Sequence, residues 1–236
     1  MSEPVEAVLF DFSGTLMVTG PADQGLAAMF ADAGIDLTEA EVHEWARRLE
    51  RSGGLPGGHF PAAIPEEIRA TWERRDLEAT AHRSSYTWLI RHSGWPWPEL
   101  ADAVYDSCAL PEAWTPYPDT LPTLRALKEH GIRTAVVSNI GWDPRPVLAA
   151  HGVAALFDTV LLSYEEGHCK PDPVLFKTAC ARLDVDPGRT LMVGDDRRAD
   201  GGAAALGCAV HFVDHLPVDE RPQALLPVLA LAGEGC

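Results

Sequence analysis

VLFDFSGTL, residues 8–16, joins an apolar run to a carboxylate and a Gly-Thr turn. Residues 5–10 are short and mostly apolar, which suits a strand buried on both faces of a parallel sheet. An aspartate just past such a strand is costly to bury unless it is paired, hydrogen-bonded or bound to metal, so Asp11 predicts partners elsewhere in the chain. Taken alone, it reads equally as a residue that caps a turn. Ser13 is informative for the opposite reason. A second carboxylate there would be the obvious general acid, and a serine stands in its place.

Three later runs supply the partners. Residues 133–137 (RTAVV) are β-rich and deliver Ser138 and Asn139. Residues 158–162 (DTVLL) lead to a loop carrying Lys170 in KPDP, and residues 190–193 (TLMV) end in Gly194, Asp195 and Asp196, with Asp200 shortly after. Helical patterns cover 120–130, 144–151, 173–183 and 199–206. Alternating strands and helices of this length predict right-handed βαβ units and an α/β fold with a parallel sheet. In such sheets a site forms beyond the carboxyl ends of the strands, where all four sets of residues fall.

The residue types suggest the chemistry. Asp11 and Asp195 offer hard oxygen ligands suited to Mg²⁺, which usually takes one or two protein carboxylates and completes its shell with water and substrate oxygens. Lys170, the Ser138 hydroxyl and backbone N–H groups could orient a phosphoryl group. An aspartate nucleophile with a metal and a lysine meets the needs of phosphoryl transfer, which depends on positioning and charge stabilisation. Simpler readings accompany each residue. Ser138 and Asn139 suit a turn after a strand, and Thr15 suits stabilising one. Lys170 suits an exposed loop. Asp172 and Pro173 form a helix start whatever Lys170 does. Asp200 sits where a carboxylate favours a helix dipole.

The four segments VLFDFSGTL, VVSNIGWD, KPDPVLF and VGDDRRADGGAAALG resemble, in order, the four motifs of the haloacid dehalogenase superfamily, whose members are mostly phosphatases. The resemblance implies a Rossmann-like core. It makes Asp11 a nucleophile that becomes an aspartyl phosphate, Ser138 and Lys170 phosphate-holding groups with Thr15 and Asn139 beside them, and Asp195 a Mg²⁺ ligand supported by Asp196 or Asp200. Phosphatases of this superfamily usually carry Asp-x-Asp in the first motif. In the family the second residue also gives its backbone carbonyl to Mg²⁺, which Ser13 can still do. A serine is a poor acid, and lost acid/base assistance typically costs about 10²- to 10⁴-fold in rate. The reaction expected is therefore Mg²⁺-dependent hydrolysis of a small phosphorylated metabolite with a good leaving group, or with an acid supplied by the substrate or by an inserted cap.

Two alternatives stand beside it: metal-independent hydrolysis of a 2-haloacid, and a catalytically weak phosphate-binding regulatory protein. Dehalogenases of the family resemble the chain at Ser138, Asn139 and Lys170 but carry Ser and Asn where it has Asp195 and Asp196. Phosphonoacetaldehyde hydrolysis requires a lysine from the inserted domain, and the lysines here are Lys128, Lys170 and Lys177, all outside the insertion.

Residues 17–114 separate the first and second motifs and read as a helical cap inserted into a core made of 1–16 and 115–236. Helical periodicity marks 24–33, 39–51, 65–83, 86–93 and 98–110, with 17–21 and 111–118 as hinges. Family caps at this point close over the site, as lids do. The loop SGGLPGGHF, 52–60, is too rich in Gly and Pro for a helix and becomes a candidate substrate contact. His59, Arg47, Arg48 and Arg51 could supply an anion contact or the missing acid, although arginines on a cap helix more often form a solvated face. Trp45, Trp72, Trp88, Trp95 and Trp97 read as the bundle core.

With 236 residues, 46% hydrophobic and 23% charged, the chain has room for a core and a cap. A net charge of −16 disfavours nucleic acid and anionic membranes, which need cationic patches. It leaves an anionic substrate open, because Mg²⁺ and Lys170 act locally. Cys108, Cys169, Cys180, Cys208 and Cys236 lack metal spacing and suggest reduced thiols in the cytoplasm. No signal or membrane-spanning segment is visible in the sequence. A monomer or homodimer is expected.

Overall fold

A computed structural model describes residues 4–233, so Cys236 lies outside the described residues. Among the described residues are seven strands: β1 (Ala7–Phe10), β2 (Met17–Thr19), β3 (Trp114–Pro116), β4 (Arg133–Ser138), β5 (Thr159–Leu162), β6 (Thr190–Gly194) and β7 (Ala209–Phe212). Five form a parallel sheet in the order β5-β4-β1-β6-β7, which gives the α/β, Rossmann-like core expected. β1 is central. Phe10 pairs in register with Val136 of β4 and Val193 of β6, so Asp11, Ser138 and Asp195 emerge from the same edge of the sheet.

The period-2 alternation of β1 explains its unbroken apolar sequence. Val8 and Phe10 face one buried layer with Leu124, Leu148 and Val228, while Ala7 and Leu9 face another with Leu175, Phe176 and Leu183. Helices cover both faces, as a parallel sheet requires. β7 lies outside the expected strands, because its half-buried AVHF pattern adds an edge rather than a core strand.

A third apolar cluster gathers buried residues from Leu26 to Tyr105. It is built from α1 (Ala22–Asp32), α2 (Glu39–Ser52), α3 (Arg69–Glu73), α4 (Ala79–His92) and α5 (Ala101–Ser107). Trp72 and Trp95 are buried in it and Trp45, Trp88 and Trp97 pack against it, as expected of a bundle core. The chain enters and leaves these helices through β2 and β3, which pair antiparallel. The segments expected as two separate hinges are thus zipped together.

The helix expected over 65–83 is broken. A short 3-10 turn, Glu66–Ile68, precedes α3, and α4 begins only at Ala79 and runs through Ser84 and Ser85. The intervening turn gives its Asp76 carbonyl to Ser163 Oγ at 2.5 Å and Cys169 Sγ at 3.6 Å. A tertiary contact has overridden helical periodicity. Residues 199–206 likewise form a tight 3-10 spiral, Asp200–Leu206, instead of an α-helix. The remaining helices are α6 (Thr120–Glu129), α7 (Arg145–Ala150), α8 (Ser163–Glu166), α9 (Pro173–Leu183) and α10 (Leu226–Gly233). Among the described residues, no helix is long and apolar enough to cross a membrane.

Candidate active site

The site lies where β1, β4 and β6 end. Lys170 Nζ stands 2.8 Å from Asp11 Oδ1 and 2.6 Å from Asp200 Oδ1, with only 2% of its side chain exposed. Burial works against the ammonium, but Asp11 and Asp200 outweigh it and hold Lys170 above the ordinary lysine range. The exposed-loop reading of Lys170 is thereby replaced. Asn139 donates Nδ2–H to the Lys170 carbonyl at 2.8 Å and accepts the Lys170 N–H on Oδ1 at 2.7 Å. Asn139, expected as a substrate contact, brackets the lysine loop to the end of β4. Ser138 is buried beside it at the strand end.

Asp11, Asp195 and Asp200 bring carboxylate oxygens within 4.8 Å of one another. Burial, then the neighbouring Asp200 and Asp195, push Asp11 up from 3.8 to about 7 against the opposing pull of Lys170. One lysine therefore leaves this trio short of positive charge. The donors are all oxygens, which suits a hard divalent cation. Asp195 is also approached by Thr15 Oγ1 at 3.5 Å and by His215 Nδ1 at 3.2 Å. Thr15 is fully buried, with its hydroxyl on this carboxylate.

Asp196 and Asp200 are placed differently, and Asp200 is the one within the carboxylate cluster. Asp196 is exposed and caps its own turn, accepting the N–H groups of Arg198 at 2.8 Å and Ala199 at 2.9 Å. Asp200 is fully buried, binds Lys170, and accepts the Asp196 N–H on Oδ2 at 3.0 Å. Its carboxyl lies directly over Gly194, where any Cβ would collide with it. Glycine at the end of β6 is what admits Asp200 to the cluster.

The cap candidates lie elsewhere. Arg47, Arg48 and Arg51 all converge on Glu44 of α2 at 2.5, 3.0 and 3.5 Å, forming a solvent-facing cluster. His59 is exposed. In the glycine-rich loop, residues 53–56 are buried, and a Cβ at Gly57 would strike Thr19 and Trp114, so this part of the loop packs on the β2/β3 ribbon.

Residues beyond β7 reach the site unannounced by the sequence. Arg221 is 4% exposed, donates to the carbonyls of Gly14 at 2.7 Å and Thr15 at 2.5 Å, and lies 3.2 Å above the Tyr117 ring. It clamps the turn that carries Asp11. Its loop shows no periodicity, so only a lone arginine in an acidic tail marked it. Arg221→Leu would leave two carbonyls unpaired, each worth about 1–3 kcal/mol when buried. We expect it to destabilise the protein by about 2–4 kcal/mol in urea unfolding. An unchanged midpoint would mean that solvent replaces the clamp.

A parallel α/β sheet whose strand ends hold three carboxylates near a buried lysine defines an α/β protein with an acidic, lysine-anchored site. The haloacid dehalogenase-like hydrolase family matches residues 5–207, and the chain belongs to that family. It is 33% identical over 221 residues to the ribulose-1,5-bisphosphate 5-phosphatase of Halopiger xanaduensis, covering 88% of this chain and 84% of that one. It is 40% identical over 202 residues to the glyceraldehyde 3-phosphate phosphatase of Methanopyrus kandleri, covering 81% and 76% respectively. Among solved structures, the L-2-haloacid dehalogenase of Xanthobacter autotrophicus shares the fold with a TM-score of 0.61 at 19% identity, over 96% of this chain and 86% of that one.

Proposed function

We propose that the chain is a Mg²⁺-dependent phosphatase that hydrolyses a small phosphorylated metabolite through an aspartyl phosphate on Asp11. The observation that carries this reading is the trio of Asp11, Asp195 and Asp200 around Lys170, rich in oxygen donors and deficient in positive charge. Asp11, Asp195 and the Ser13 main-chain carbonyl would hold the ion, with Asp200 in support. Bound there, Mg²⁺ supplies charge that keeps the carboxylates ionised and draws electron density from phosphoryl oxygens.

Asp11 attacks phosphorus as the bond to the leaving oxygen breaks, and water then displaces the Asp11 carboxylate to release phosphate. Lys170 and the Ser138 hydroxyl meet the phosphoryl oxygens, and the Asn139 bracket keeps Lys170 in line. The helices of residues 17–114 act as a cap that closes over the substrate and excludes water. Two relatives named for phosphorylated sugars support a metabolite of that class. The four described cysteines are free, in keeping with a reducing cytoplasm.

A panel of sugar phosphates, aryl phosphates and 2-haloacids, each assayed with Mg²⁺ and with chelator, tests the proposal. Phosphate release that requires Mg²⁺ is the expected result. Halide release in the presence of chelator would replace this reading with displacement at carbon. Thermal protection by a phosphate ester without turnover would leave a binding protein.

A further inference from the structure

Ser13 leaves the reaction without the usual acid, yet the relatives named above act on sugar phosphates, whose alkoxide leaving groups need a proton. We propose that Asp76, carried over the strand ends by the turn between α3 and α4, supplies the carboxyl that protonates the leaving oxygen and then activates water. The inference rests on the phosphatase reading.

The turn is fixed to the core at the ends of β4 and β5. The Asp76 carbonyl accepts from Ser163 Oγ, which also binds the Ile140 N–H at 2.9 Å, and from Cys169, the neighbour of Lys170. Arg75 and His82 press so closely on Gly141, in the loop after Ser138 and Asn139, that any Cβ there would strike them. The turn thus sits against both the second and third motifs.

The Asp76 side chain is 19% exposed and pairs with Arg75 at 3.1 Å. Tyr86 of α4, Cys169 and Lys170 are the other charged or titratable groups that share its field. Burial raises the Asp76 carboxyl above the ordinary range, with Arg75 and Lys170 opposing, which favours a group that can carry a proton. Arg75 Nε has no hydrogen-bond partner in its buried position, and the guanidinium that pairs with Asp76 lies over the Trp72 ring at 4.4 Å. With His59 exposed and the α2 arginines engaged by Glu44, Asp76 is a carboxyl that the helices bring into the field of Lys170.

The step balances without another reactant. The Asp76 proton passes to the bridging oxygen as its bond to phosphorus breaks and the Asp11–phosphorus bond forms. The Asp76 carboxylate then takes a proton from water as the water oxygen bonds to phosphorus and the Asp11 bond breaks. The sum is ester plus water to alcohol plus phosphate, with Asp76 again protonated.

Asp76→Asn is compared with wild type on a sugar phosphate and on an aryl phosphate with a strongly acidic phenol. The expected kcat loss is about 10²- to 10³-fold on the sugar phosphate and less than about tenfold on the aryl phosphate. Adding Ser13→Asp to Asp76→Asn should recover most of the sugar-phosphate rate. The aryl substrate reports folding within the same experiment, and Asp76→Glu, which keeps a carboxyl, should retain more of the selective activity than Asn does. Equal losses on both substrates, or no loss on either, would overturn the inference. If wild-type protein with Mg²⁺ hydrolyses no phosphate ester, the underlying phosphatase reading fails first and the role of Asp76 with it.

Discussion

Asp11→Asn is expected to abolish turnover, by about 10⁴-fold or more, while making the metal-free protein more stable above neutral pH. The first effect follows from chemistry, since an amide of nearly the same shape cannot serve as an ionised nucleophile. The second follows from charge. Asp11 shares its buried corner with Asp195 and Asp200, and burial with those neighbours raises its carboxyl from 3.8 to about 7. A carboxyl whose folded value exceeds its unfolded value binds protons more tightly in the folded state. Its contribution to stability therefore falls as pH rises from about 4 to about 7 and stays unfavourable above that. Urea unfolding in chelator across pH 4–8 should show this decline in wild type, with a flatter profile for Asp11→Asn. Mg²⁺ should stabilise wild type at the upper end and act far less on the variant. Parallel pH profiles would show that Asp11 carries no such penalty.

What could be read from the sequence follows physical range. The end of β1 was legible because a doubly buried strand leaves a continuous apolar signature and the carboxylate after it breaks that signature within one residue. The ends of β4 and β6 were legible for the same reason. The choice of Asp200 over Asp196 was not. Both lie at usable spacing, and what separates them is the space over Gly194, a packing fact with no local sequence mark.

The Arg75–Asp76 turn was hidden by its own context. Apolar and polar residues run at helical spacing through 65–83, and the break arises because Ser163 and Cys169, about ninety residues away in sequence, capture the Asp76 carbonyl. Asn139 shows the converse limit. Its position after a strand beside Ser138 suggests a substrate contact, and no local pattern marks the second task of its amide, which brackets the Lys170 backbone. Position along a strand identifies which residues can reach a site. It does not say whether they touch substrate or each other.

Lys170→Met should unfold most readily at the pH where the enzyme is expected to work. The ammonium lies 2.8 Å from Asp11 and 2.6 Å from Asp200, in a space where Asp200 is fully buried and Asp11 is 13% exposed. Methionine matches the stem but removes the only cation bonded to both carboxylates among the described residues. Breaking a buried pair by removing one partner typically costs about 3–5 kcal/mol, because the other charge is left uncompensated. Near pH 7.5, without metal, a loss of about that size is expected in urea unfolding. The penalty should shrink toward pH 4, as Asp11 and Asp200, both raised by burial, take up protons and no longer need the ammonium. Phosphate release should fall at least about 10³-fold, since phosphoryl transfer depends on charge stabilisation. The double variant Lys170→Met/Asp200→Asn separates the two roles. Removing one carboxylate should restore much of the lost stability without restoring the rate, whereas recovery of both would place Lys170 in the fold alone and leave the phosphoryl group to other donors.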